Sequence, residues 1–143
     1  MTGVRLPDEI KPVMDNGVPA VMVTCSAAGV PNATVISQVY YVDATHVALS
    51  FQFFSKTIQN VRENPRAFVC LQDPEGHGHW ILDLEFQHSE TEGPVFDAMD
   101  MQIEAIASAT GMSGIFKLRA ADIYRVLTVA RRPYAASAPD RNE

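Results

Sequence analysis

The sequence predicts a mainly β protein, a closed antiparallel barrel of six or seven strands with helices added at its edges. Three observations carry this. Runs rich in Val, Ile, Thr and Tyr recur along most of the chain. Short turn segments such as Ala27-Ala28-Gly29 and Asp43-Ala44-Thr45 separate many of them, so hairpins link neighbours. Three stretches switch to helical spacing and begin or end at Pro or Gly. At 143 residues the chain reads as one domain, 1–143, with residues 131–143 a loosely ordered tail marked by Pro133, Ala135-Ala136 and Pro139.

Taken in order, Leu6, Ile10, Val13 and Met14 keep helical spacing, and Pro12 makes that first helix short or kinked. Pro19 to Cys25 is apolar on both faces and reads as a central strand. Val30 to Val42 reads as one long strand. Its alternation sets Asn32, Thr34, Ile36, Gln38 and Tyr40 on one face, and Ala33, Val35, Ser37, Val39 and Tyr41 on the other. Val47 to Phe51 pairs back against it. A short helix then opens at Ser55 and stops at Asn64-Pro65, because a proline disfavours helical backbone in the residue before it. Ala67 to Leu71 is the next strand, and His79 to His88 alternates as a half-exposed one. A helix from Pro94 to Gly111 buries the stripe Phe96, Met99, Ile103 and Ile106. Ile115 to Arg119 and Ile123 to Val129 supply the last strands.

With 47% hydrophobic and 20% charged residues, the composition is that of an ordinary globular domain. A net charge of −6 excludes nucleic acid as the main partner, since a phosphate backbone needs a basic face. No run approaches membrane-spanning length and Met1 to Asn16 has no apolar signal core, so a cytoplasmic protein is expected. Cys25 and Cys70 sit in apolar strand runs and read as reduced, buried thiols.

The most informative stretch is Ser55-Lys56-Thr57. Ser55 is a good N-cap, and the orphan N–H groups of a first helical turn, beside a lysine and two hydroxyls, form a ready site for one phosphate. The competing local reading is a capped surface helix with a solvated Lys56. His77-Gly78-His79 lacks a clear third ligand, and no metal site is assigned. Trp80 reads as core or interface, Asn60 as a tie for the helix–loop backbone, and Asp83 and Glu85 as an exposed strand face. No catalytic acid or base emerges from spacing.

The ordered set of Gly29-Val30-Pro31-Asn32, the following long strand, Ser55-Lys56-Thr57 and Asn60-Val61-Arg62-Glu63-Asn64-Pro65 before an apolar strand resembles the pyridoxamine 5′-phosphate oxidase-like family, the flavin-binding split β-barrels. Glu92-Gly93-Pro94 and Ile115-Phe116-Lys117-Leu118 are similar to that family too, so the likeness runs from Leu6 to Val129. The resemblance implies a split antiparallel barrel and a homodimer sharing FMN sites between its chains. It implies that the FMN phosphate meets Ser55, Lys56 and Thr57, and the ring meets Val35, Ile36, Ser37, Gln38 and Phe51. It further implies an FMN-dependent oxidoreductase acting on a small molecule, with NADH or NADPH as a possible electron source. Alternatives are a non-catalytic flavin-binding or redox-sensing module, or a barrel binding F420 or haem. The chain has one lysine where the oxidase typically carries an Arg-Lys pair, and it is shorter, so oxidation of pyridoxamine phosphate itself is not expected.

Overall fold

The computed structural model describes residues 3–15, 19–50, 55–76, 78–109, 111 and 118–133. Leu6, Ile10, Val13 and Met14 are all buried; Leu6 precedes the helical turns, and the other three are carried by a 3-10 turn (Asp8–Ile10) that runs into α1 (Lys11–Asp15). Seven strands follow: β1 (Ala20–Cys25), β2 (Pro31–Ile36), β3 (Val39–Asp43), β4 (His46–Ser50), β5 (Arg66–Asp73), β6 (Gly78–Glu90) and β7 (Ala121–Pro133). Two longer helices are inserted, α2 (Ser55–Glu63) between β4 and β5 and α3 (Pro94–Ala109) between β6 and β7.

Every strand pairing is antiparallel, in the order β2-β1-β5-β6-β7-β4-β3. The two edge strands, β2 and β3, are consecutive in the chain and joined by Ser37 and Gln38 alone. A seven-stranded sheet whose opposite edges are tied by two residues has to curl until those edges meet at that corner. Ile36 and Val39, on either side of the corner, enter the same core. The result is a split β-barrel.

Its interior is filled by one face of every strand, including Met22, Val47, Leu49, Val69, Leu82, Leu84 and Tyr124. A second cluster lies outside the barrel wall, where Met99 and Ile103 of α3 cover Ala48, Ala121 and Ile123. α3 buries Met99, Ile103 and Ala107, with Phe96 and Ile106 half-buried beside them.

Several sequence expectations change. Val30 to Val42 is two strands, and the corner at Ser37-Gln38 shifts the alternation by one residue. Val39 and Tyr41 therefore join Ile36 in the core, while Tyr40 packs on the cluster beneath α3. β1 is paired on both sides, but its outer face is open, with Val21 40% exposed. Cys25 and Cys70 lie half-buried on that outer face rather than in the interior. Val21 is the register partner of Cys70, so Cys25 stands four residues, about 13 Å of strand, away from it, beyond disulfide reach.

Residues 112–117 lie outside the described set, so the expected strand from Ile115 is not described before Leu118, and Leu118–Ala120 is not strand. At the other end, β7 continues through Arg131, Arg132 and Pro133, paired to β6, where a tail was expected. On the outer surface, Asp83 and Glu85 are half-exposed as expected, and each meets an arginine, Arg66 and Arg125 respectively, at 3.0 Å. The Arg125 guanidinium holds the Glu85 carboxyl below its ordinary range. No helix among the described residues is long and apolar enough to cross a membrane.

Candidate functional site

The site is built around α2. Thr57 and Asn60 are buried, Ile58 and Val61 half-buried, and Lys56, Gln59, Arg62 and Glu63 exposed, so the helix lays one stripe on the barrel. What fixes it there is polar. Asn32 Nδ2 donates to Thr57 Oγ1 at 3.1 Å, and Asn60 Nδ2 donates to Thr24 Oγ1 at 3.2 Å. Thr24 and Asn32 are register partners across β1 and β2, and Thr57 and Asn60 are one helical turn apart. The hairpin tip adds a third tie, Ala27 N–H donating to Glu63 Oε1 at 3.0 Å. Positive-φ Gly29 lets that tip turn tightly (φ 84°). The β1–β2 hairpin thus holds α2 along its whole length, and Asn60 ties the helix to a side chain of β1, while its carbonyl accepts from Asn64 N–H.

This geometry distributes the expected phosphate residues unequally. Lys56 points to solvent and is in no ion pair among the described residues. Thr57 is 1% exposed and engaged with Asn32, leaving its N–H rather than its hydroxyl at the helix start. Ser55 is the first residue of α2.

The expected ring-side residues sit at the corner. Val35 is 65% exposed on the outer face and Ser37 is exposed, whereas Ile36 and Gln38 are buried. Ile36 and Gln38 could therefore meet a ligand only through their main chain. Gln38 donates from Nε2 to Gln102 Oε1 of α3, and its own Oε1 is buried without a partner among the described residues. Because β2 is a sheet edge, alternate backbone groups from Pro31 to Ile36 are left outside the ladder. From Asn32, which holds α2, to Val35 and Ile36 is about 10–13 Å of strand. Phe51 lies outside the described residues.

A pocket of about 330 Å³ opens beneath α2, in the mouth of the barrel. Met22, Leu49, Val61 and Phe86 give it apolar walls, Asp122 and Arg62 are its charged residues, and Ser50, Thr57, Ser89 and Tyr124 add hydroxyls. Asp122 faces inward because it is the register partner of Leu49. Ser89 Oγ donates to Asp122 Oδ1 at 2.6 Å, yet burial still pushes the Asp122 carboxyl above its ordinary range. Burial, and then the charge of Asp122, push the Tyr124 hydroxyl up as well. Sequence reasoning missed Asp122. Its signal was a carboxylate inside an otherwise apolar strand start, Ala120-Ala121-Asp122-Ile123.

Trp80 is core, 4% exposed, with Nε1 lacking a partner among the described residues. His77 lies outside the described residues, and among those described no three His, Cys, Asp or Glu side chains gather as a metal site.

A curled sheet with a hairpin-held helix across one mouth is the architecture of the small split-barrel proteins. The pyridoxamine 5′-phosphate oxidase family profile matches residues 6–127, and the chain belongs to that family. No functionally curated protein matches it in sequence. Among solved structures, an FMN-binding protein from Syntrophomonas wolfei subsp. wolfei superposes with a TM-score of 0.72 at 12% identity, covering 94% of this chain and 87% of its own. An F420 reductase matches with a TM-score of 0.64 at 10% identity, covering 87% and 98%. The haem storage protein HutZ from Vibrio cholerae matches with a TM-score of 0.58 at 16% identity, covering 88% and 94%. At these identities the likeness is one of fold.

Proposed function

We propose that this chain binds FMN and is a flavin-dependent oxidoreductase of a small molecule, working as a homodimer with the cofactor held between chains. The observation that carries the reading is the start of α2. It is a helix N-terminus with an exposed Lys56 that forms no ion pair among the described residues, and Thr57 beside it is tied to Asn32 of β2, the edge strand that runs on to Val35 and Ile36. The residues present fit the group. Lys56 and the first N–H groups of α2 would take the phosphate, Val35 would cover one face of the ring, and main-chain groups around Ile36 and Gln38 would meet its polar rim. Bound there, the flavin supplies the electron-transfer chemistry, with NADH or NADPH as the reductant to test first. The chain's residues orient it and limit what reaches it.

The dimer reading rests on the outer face of β1, β2 and β5. Val21, Val35 and Phe68 are 40%, 65% and 41% exposed there, with Val21 opposite Val35 and Val23 opposite Phe68. A second copy of this chain is the occupant that suits the face, because Val35 belongs both to this apolar patch and to the ring-side corner.

F420 and haem, named by two of the matched structures, are the competing ligands. The anionic tail of F420 calls for basic residues beyond Lys56, on a chain with 11 Lys and Arg against 17 Asp and Glu. Haem needs an axial ligand, and His46 and His88 are each within 3.0 Å and 2.9 Å of a carboxylate, Asp43 and Glu90. The visible spectrum of the purified protein separates the three.

The decisive experiment titrates FMN and riboflavin into wild type and Lys56→Ala. A charge-assisted contact to the phosphate contributes about 1.5–3 kcal/mol, so FMN affinity should fall roughly ten- to a hundred-fold. Riboflavin, which has no phosphate, should bind both proteins alike. An unchanged FMN-to-riboflavin ratio removes Lys56 from the site.

A further inference from the structure

The pocket beneath α2 is distinct from the helix start. Thr57, Ile58 and Val61 of the helix's inner stripe line it together with the exposed Arg62, whereas Lys56 is not part of its lining. Its apolar walls carry one acid and one base. Neither Asp122 nor Arg62 forms an ion pair among the described residues, and there the Asp122 carboxylate has a single hydrogen bond, from Ser89. Asp122 is half-buried in the barrel mouth and Arg62 is exposed on the overlying helix. An apolar cavity with opposite charges at different depths is complementary to a molecule that is apolar in its body and carries both charges itself.

We propose that this pocket binds a small apolar zwitterion of amino-acid size, its ammonium on Asp122 and Ser89, its carboxylate on Arg62 and its side chain against Met22, Leu49 and Phe86. The proposal does not depend on the flavin reading. Ser89 donates to Oδ1 of Asp122, leaving Oδ2 to accept from the ammonium.

The test is calorimetric titration of the full chain with three probes of one shape: L-phenylalanine, 2-phenylethylamine, which lacks the carboxylate, and 3-phenylpropanoate, which lacks the ammonium. Phenylalanine should bind at least about tenfold more tightly than either partial probe. Asp122→Asn should erase its preference over 3-phenylpropanoate. Arg62→Gln, an exposed substitution that leaves the core untouched, should erase its preference over 2-phenylethylamine. Lys56→Ala should leave the phenylalanine titration unchanged, which separates this pocket from the proposed flavin site. Absence of saturable heat with phenylalanine, equal binding of all three probes, an undiminished preference in either pocket variant, or displacement of phenylalanine by FMN would each overturn the proposal.

Discussion

Asn60 is fully buried on a helix whose exposed residues are almost all polar, and its Nδ2 spends its reach on Thr24 rather than on solvent. Asn60→Ala leaves the Thr24 hydroxyl without this donor and opens a void, so stability should fall by about 1–3 kcal/mol, read from urea unfolding. Asp122 makes the opposite prediction at neutral pH. Burial raises its folded pKa above the unfolded value. Its ionisation therefore costs stability, a cost complete above the folded pKa and gone as pH falls below the unfolded one. Asp122→Asn still accepts the Ser89 hydrogen bond, and should raise Tm relative to wild type at pH 7 and do so much less at pH 3. A pH-independent difference would contradict this. At this scale the sequence exposed the polar helix start but not the burial of Thr57, because the register that aims it at Asn32 is set by a strand 25 residues earlier. The cysteines were misread for a related reason. An apolar strand with two apolar faces looks the same whether its outer face meets a core or stands open.

Among the elements, α2 shows how a short helix is held when few apolar residues serve it. Its two side-chain rungs, one part-buried and one buried, and the tip contact make the β1–β2 hairpin its scaffold. Asn32→Ala removes the first rung and should loosen the opening turn. FMN affinity should then fall several-fold while riboflavin affinity holds, with a stability loss of about 1 kcal/mol. A loss shared equally by both flavins would mean that the rung supports the barrel mouth and not the phosphate end. The helices were legible from spacing and punctuation: Pro94 opens α3, and Asn64-Pro65 follows α2. The corner between β2 and β3 was not. Ser37 and Gln38 break no propensity rule, and the bend comes from sheet closure, which brings β3 beside β4 at the far edge from β2. The extension of β7 to Pro133 likewise depends on β6 as partner, since Arg131-Arg132-Pro133 shows no strand pattern of its own.

For the whole molecule, mainly β content and hairpin linkage were readable, whereas strand order was not, because β5, β6 and β7 interleave with pairs made earlier in the chain. The exposed face of β1, β2 and β5 carries the proposed dimer, and its side chains point away from the barrel interior. Val35→Glu with Phe68→Glu should therefore yield a folded monomer by sedimentation and circular dichroism, with FMN binding lost. An intact dimer would move the interface elsewhere. The same topology has a consequence for biosynthesis. β7 lies between β6 and β4, and without it the sheet falls into two pieces, β2-β1-β5-β6 and β4-β3, joined by no strand pairing but only by the Ser37-Gln38 corner and the α2 connection from β4 to β5. It is also the last of the seven strands to be translated. At roughly 5–20 residues per second, seconds pass between the emergence of β4 and that of its partner. During that interval the open edges of β4 and β6 are templates for other chains. The barrel can close only after residue 121 and its successors have left the ribosome, so the strand that completes the fold also ends the nascent chain's exposure to aggregation.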